Sequence, residues 1–139
     1  MTWRDDLLED LKRDEGFRGL PYLDTASPPR WTTGYGWNIS DRPIRESEAA
    51  MRLGNDADEA TLDLGFNFPW FQHLSDNRKR ALANMAFNLG MTRLLGFKKM
   101  LKAMAEEDFE TAANECLDSK WAAQVGNRAQ RIAELIRNG

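Results

Sequence analysis

The stretch from Phe17 to Pro43 cannot continue the helix that precedes it. It holds four of the chain's five prolines (Pro21, Pro28, Pro29, Pro43) and three of its ten glycines (Gly19, Gly34, Gly36). Proline lacks the amide donor that a helix interior needs, and glycine leaves the backbone unconstrained. Tyr22, Trp31, Tyr35 and Trp37 are interleaved among them. That mixture suits short strands joined by turns, near Leu20–Asp24 and Arg30–Gly36, with a turn at Thr25–Pro29. The rest of the chain has helical periodicity. A small sheet segregated from many helices is an α+β architecture.

The flanking helices can be read residue by residue. Trp3, Leu7, Leu8 and Leu11 recur at helical spacing after Thr2, a capping residue type, and Gly16 ends that helix at Glu15. A polar helix is expected over about 44–65, with so few apolar positions that it reads as an exposed connector. Phe66, Phe68, Pro69, Trp70, Phe71 and Leu74 form an aromatic cluster. Ser75 or Asp76 then caps a helix whose Ala81, Leu82, Met85, Ala86 and Leu89 leave little polar face, so it should be buried. Further amphipathic repeats run through Phe97–Met104, Phe109–Cys116 and Ala129–Ile136. The expected plan is one domain over 1–139. It has a β-rich lobe at about 17–43, a connecting helix at about 44–65, and a helical lobe at about 66–139 joined by the N-terminal helix 3–15. A site is expected in the cleft between the lobes.

Composition removes several function classes. The 139 residues fit one domain at about 150 residues per domain. The single cysteine, Cys116, cannot form an internal disulfide and falls on an apolar helical stripe, as core residues do. A net charge of −3 speaks against a nucleic-acid partner. That total hides an asymmetry: residues 1–76 carry 8 basic and 15 acidic side chains, residues 77–139 carry 11 and 7. The first residues, Met1 to Asp6, have no apolar core of a signal peptide, and no window reaches the roughly 18 apolar residues of a membrane span.

His73 is the only histidine, which disfavours a Ser-His-Asp triad or a multi-histidine metal site. Gly34-Tyr35-Gly36 is too short for a dinucleotide fingerprint and reads as a turn. Carboxylates remain. Glu15 ends a helix, where the partial negative charge of the last carbonyls favours a protonated acid. Asp24 follows nine residues later at the end of the first strand, where an aspartate by itself is an ordinary turn residue. Thr32 and Thr33 stand beside the next glycine turn.

Taken together these residues are specific. Asp14-Glu15-Gly16, then Tyr22-Leu23-Asp24, then Thr32-Thr33-Gly34-Tyr35-Gly36 resembles the active-site signature of the T-even-phage type of lysozyme, glycoside hydrolase family 24. Two later blocks agree: Asn84 to Gly90 with Gly96-Phe97, and Ser119-Lys120-Trp121 with Asn127 to Arg131. The resemblance implies a lysozyme-like fold and a muramidase. Such an enzyme hydrolyses the β-1,4 bond between N-acetylmuramic acid and N-acetylglucosamine in peptidoglycan. By position, Glu15 matches the general acid, Asp24 the carboxylate that assists water, and Thr32 the hydroxyl that helps hold it. An inverting displacement is implied, which needs the two carboxyl groups about 6.5–9.5 Å apart. Asn38, Trp37, Phe87 and Asn88 match substrate-facing positions, and Arg128 matches an arginine paired with the catalytic glutamate. By the same resemblance Arg131 is expected to pair with Asp14.

Three departures from the family pattern stand out. Asp24 and Thr32 are eight positions apart, longer than is common in the family, with the extra length at Ser27-Pro28-Pro29. Trp37 stands where a histidine is usual. The Trp37–Ile44 segment is short, so the β-lobe should be trimmed. The implied partner is the glycan strand of peptidoglycan, with no cofactor, metal, nucleic acid or integral membrane segment. The chain is expected to be a monomer made in the cytoplasm of a bacterial host without a signal peptide. It would reach the wall after a holin-like breach. A chitin-type glycosidase and a non-catalytic peptidoglycan-binding module of the same fold are the alternative readings.

Overall fold

The computed structural model describes all residues from Met1 to Gly139. Eight α-helices, one 3-10 turn and a three-stranded antiparallel sheet follow one another along the chain. Two compact units result, Met1–Ala50 and Met51–Gly139.

The first unit opens with α1 (Trp3–Glu15). Thr2 and Asp5 form a reciprocal capping box, with the Thr2 amide donating to the Asp5 carboxylate at 2.8 Å. These bonds hold the Asp5 carboxyl below its ordinary range. No residue of α1 is buried: Leu7, Leu8 and Leu11 stay 39–43% exposed. The helix falls in the same unit as the sheet, whereas the sequence pattern groups it with the helical lobe. Amphipathic spacing reports a helix but not the surface it serves.

The sheet runs β1 (Arg18–Leu23), β2 (Trp31–Gly34) and β3 (Trp37–Asn38), in that spatial order. Tyr22 pairs with Thr32 and Leu23 with Trp31, but the register is irregular between Arg18 and Tyr22. Pro21 occupies that irregularity on an edge strand, where a missing amide donor is tolerated. The two-residue strand β3 is additional to the expected pair, and it places Asn38 opposite Thr32.

The connector is α2 (Glu46–Asn67), 22 residues of continuous helix with only Leu64 buried. It starts two residues later than expected. The Arg45 carbonyl takes the first helical amides, those of Glu48 and Ala49. Phe66 leaves the expected aromatic cluster: it sits in the last turn of α2 and is 91% exposed. Phe68, Phe71 and Leu74 are buried, with Trp70 stacked on Phe68 at 4.9 Å.

The second unit packs α3 (Asp76–Leu89), α4 (Met91–Leu94), α5 (Lys98–Ala105), α6 (Phe109–Leu117), α7 (Lys120–Val125) and α8 (Asn127–Asn138) around one core. Ser75 caps α3 through the Arg78 amide. Ala81, Leu82, Met85, Ala86 and Leu89 are all buried, so α3 contributes most of its length to the core. Each large side chain buried this way stabilises by about 1.5–3 kcal/mol relative to leaving it exposed. Cys116 is fully buried in this core, and burial pushes its thiol up to about 11. Arg78 locks the end of the bundle. Its guanidinium donates to the carbonyls of Ile136 (2.7 Å) and Arg137 (3.2 Å) and lies 3.5 Å over the Phe109 ring. A cation there satisfies carbonyls that the end of α8 leaves open. No helix is long and apolar enough to cross a membrane.

Candidate active site

Glu15 is the last residue of α1, and Gly16 closes the helix at φ +70° with its amide on the Lys12 carbonyl. The carboxylate of Glu15 is exposed and lies against Gly36, in the turn between β2 and β3. A Cβ on Gly36 would sit 2.7 Å from Glu15 Oε2 and 3.0 Å from Cδ. Gly36 also has φ +71°, a conformation that side-chain-bearing residues rarely adopt. The backbone conformation favours glycine there, and an added Cβ would also displace the exposed Glu15 carboxylate.

Asp24 follows β1 and closes the long turn. Its Oδ1 accepts the amides of Ala26 (3.0 Å) and Arg30 (2.8 Å), and its own amide donates to the Arg30 carbonyl at 2.9 Å. The Asp24–Arg30 pairing pinches off the Ser27-Pro28-Pro29 excursion before β2 begins. The extra length in the Asp24–Thr32 spacing is absorbed at the tip. Backbone hydrogen bonds, the Arg30 amide foremost, lower the Asp24 carboxyl against the opposing effect of desolvation. The Ala26 amide, the Thr32 hydroxyl and the Arg30 charge lower it further. Both backbone donors fall on Oδ1, which leaves Oδ2 with no backbone partner.

Thr32 is the one buried polar residue, at 4% exposure. Its hydroxyl donates to the Arg30 carbonyl at 3.3 Å, whereas the Thr33 hydroxyl donates to the Arg18 carbonyl. Thr32, not Thr33, is thus the threonine brought to Asp24. Asn38 lies opposite Thr32, and its Oδ1 is taken by the amides of Ser40 and Asp41. Trp37 is half-buried, with its indole N–H on the Arg42 carbonyl at 3.0 Å.

The remaining candidates stand in the second unit. Phe87 is 44% exposed near the end of α3. With Asp56, Glu59 and Asp63 of α2 it lines a cavity of about 320 Å³. Asn88 accepts the Trp121 indole N–H at 2.8 Å, a bond that fixes its amide. Arg128 Nε donates to Asn84 Oδ1 at 2.9 Å. No three histidine, cysteine or acidic side chains gather closely enough to hold a metal ion.

Two contacts are not legible in the sequence. Gly36 enters the signature as a hairpin glycine, with no sign of its contact with Glu15. Arg30 acts on Asp24 through its backbone amide, which no side-chain pattern reports. A proline-bearing loop that follows an aspartate is the available hint, because aspartate side chains cap the turns they start.

Chemically, the first unit presents an acid at a helix end and a second carboxyl held ionised by backbone donors. Comparison with known proteins agrees with the signature. The model of the phage lysozyme family matches residues 12–137. The chain is 30% identical, over 96% of its length, to part of the pre-baseplate central spike protein Gp5 of Enterobacteria phage T4, covering 28% of that protein. It is 32% identical over 68% of its length to the probable T4-type lysozyme 2 of Dictyostelium discoideum, covering 52% of it. It is 31% identical over 91% of its length to an endolysin of Acyrthosiphon pisum secondary endosymbiont phage 1, covering 85% of it. The chain thus spans only about a quarter to a half of the first two relatives' lengths. With nearly its whole length matched, the chain belongs to the phage lysozyme family.

Proposed function

We propose that this chain is a muramidase that hydrolyses the β-1,4 bond between N-acetylmuramic acid and N-acetylglucosamine in peptidoglycan. Glu15 protonates the leaving glycosidic oxygen. Asp24, through Oδ2, and the Thr32 hydroxyl orient the attacking water. The observation that carries this reading is the unequal environment of the two carboxyls. Asp24 is held ionised by two backbone amides, while Glu15 ends a helix against bare glycine backbone. A carboxyl held ionised by backbone donors, in the same unit as a second acid, supplies the pair of carboxyl groups that glycoside hydrolysis uses.

The reaction proposed is a single displacement with inversion, which requires the two carboxyl groups to be about 6.5–9.5 Å apart, with room for water. By the family resemblance Asn38, Trp37, Phe87 and Asn88 are assigned to the glycan, whereas Arg128, which the resemblance implies as the acid's cation, donates to Asn84. The protein acts as a monomer on the wall, released from a host cytoplasm with the help of a holin. The test is release of reducing ends from purified peptidoglycan, with the anomer of the first product followed by NMR. Glu15→Gln should abolish release. Release by Glu15→Gln at the parent rate would overturn the assignment. Cleavage of chitin oligomers but not of peptidoglycan would move the activity to a chitin-type polymer.

A further inference from the structure

The Arg30 guanidinium has two carboxylates to choose between and is paired with one of them. Its Nε lies 2.6 Å from Asp41 Oδ2. Its charge also acts on Asp24, whose Oδ1 is 2.8 Å from the Arg30 amide. A long, flexible side chain whose own amide touches a carboxylate can fold back and pair with it. The ion pair is nevertheless made with Asp41.

Asp41 is fixed from a different segment, the turn after β3. There Asn38 Oδ1 accepts the amides of Ser40 and Asp41, and Asn38 Nδ2 donates to Asp41 Oδ2 at 3.1 Å. Two more bonds tie that turn to β2. The Trp31 amide donates to Ser40 Oγ at 2.9 Å, and the Ile39 amide to the Trp31 carbonyl at 2.8 Å. The carboxylate that holds the guanidinium is thus anchored beside the start of β2, independently of Arg30. Stability alone does not account for the pair. The Arg30 and Asp41 side chains are 37% and 52% exposed, and exposed ion pairs add little.

What the pairing preserves is one oxygen of Asp24. Oδ1 is filled by the amides of Ala26 and Arg30, while Oδ2 has no backbone partner. A guanidinium paired with Asp24 would occupy Oδ2 with its fork of donors. We propose that Asp41 is a positioning residue: it holds the Arg30 guanidinium away from Asp24 and so keeps Asp24 Oδ2 free for the attacking water. The water's role rests on the muramidase reading, whereas the competition of two carboxylates for one guanidinium does not.

Two readouts on the full chain test it. The first is the NMR resonance of the Arg30 Nε–H group at neutral pH, which reports the partner of the guanidinium. Asp41→Asn keeps an acceptor for Asn38 but loses the charge that holds Arg30. In the parent, Asp24→Asn should barely move the resonance. In the Asp41→Asn background the same change should move it clearly, because Arg30 has by then transferred to Asp24. An equally small response in both backgrounds overturns the proposal. The second readout is release of reducing ends from peptidoglycan. Asp41→Asn should lose about tenfold in kcat with KM little changed, since a cation brought within reach of an aspartate is preferred by about tenfold or more. Adding Arg30→Gln should recover most of that loss. A merely structural pair predicts no recovery, because removing the second partner cannot rebuild the first contact. A double variant as slow as Asp41→Asn overturns the proposal. Asp41→Ser serves in the same comparison if Asp41→Asn does not fold. A parent that releases no reducing ends would sink the muramidase reading, while the Arg30 resonance still decides which carboxylate takes the guanidinium.

Discussion

Gly36 and Glu15 are in direct contact: the space a Cβ would occupy on the glycine is filled by the glutamate's carboxylate, 2.7 Å from Oε2. Gly34 makes the natural comparison. It shares the hairpin and the positive φ (+63° against +71°), yet nothing lies within 4 Å of its Cβ direction. Gly34→Ala and Gly36→Ala therefore impose similar backbone strain, of order 1 kcal/mol or more each. Only the second displaces the acid. Both variants should lose comparable thermal stability. Gly36→Ala should in addition lose about tenfold or more in kcat, as misplacement of a reacting group does. Equal kcat for the two variants would remove Gly36 from the positioning of Glu15.

Asp24 is expected to serve both fold and chemistry, and substitutions separate the two. Asp24→Asn keeps an oxygen to accept the Ala26 and Arg30 amides but lacks the charge. Asp24→Ala loses the acceptor as well. The asparagine variant should hold its melting temperature near the parent's while hydrolysis falls by several orders of magnitude. The alanine variant should lose both. Equal melting temperatures for Asp24→Ala and the parent would show that the loop does not depend on this carboxylate.

The same residue sets a sign for pH. Its folded-state carboxyl titrates below the ordinary aspartate value of 3.8. Its stabilising contribution is therefore complete above that value and disappears as pH falls through the lowered folded one. As pH falls below the ordinary value of 3.8 the parent should lose more stability than its other carboxylates alone would account for. Asp24→Asn should be insensitive to this step. Denaturation midpoints measured from pH 6 to 2.5 on both proteins check it, and parallel curves would exclude the Asp24 contribution.

Much of the fold was legible because its signals are local. Thr2 before a periodic apolar run marked α1, Ser75 and Gly90 bracketed α3, and prolines confined the sheet to the segment after Phe17. What was illegible depends on distance or brevity. The strand Trp37–Asn38 has two residues, too few for alternation, and α4 has four, barely one turn. Phe66 was misplaced because an aromatic in a helix's last turn looks like its buried neighbours in sequence. The candidate residues Glu15, Asp24 and Thr32 stand out only jointly, through family resemblance. The contact of Glu15 with Gly36 follows from a backbone angle that no spacing records. Closure of the long loop by Asp24 was similarly hidden, since aspartates start many turns.

Arg78 draws together α3, α6 and α8, and its removal should be costly for a partly exposed arginine. Arg78→Ala breaks two bonds to the carbonyls at the end of α8 and the stacking on Phe109. A loss of roughly 2–4 kcal/mol is expected, from charge-assisted hydrogen bonds plus the cation–π contact. Arg78→Lys should recover only part of it, because one ammonium cannot reproduce the guanidinium's fork. Urea denaturation provides the measurement. A loss under 0.5 kcal/mol for Arg78→Ala would mean that water caps α8 equally well.

The charge distribution bears on how such a protein meets its wall. Residues 1–76 carry an excess of seven acidic groups, and residues 77–139 an excess of four basic ones. A net charge of −3 gives no whole-surface attraction to an anionic polymer, so any attraction must come from local basic surface. Local fields act over about one Debye length, roughly 30 Å at 0.01 M salt and 8 Å at 0.15 M. At low salt the acidic groups' repulsion and the basic groups' attraction both reach the wall and largely offset each other. As salt rises, only contacts nearer than about 8 Å persist, and those are made by whichever surface the glycan actually touches. If the basic helical surface makes them, initial rates of wall clearance should peak at moderate salt. They should then fall steeply above it, and at physiological salt stay below those of a net basic muramidase. Rates measured from about 0.01 to 0.3 M salt decide the matter. A flat profile would show that neither half of the charge distribution governs encounter.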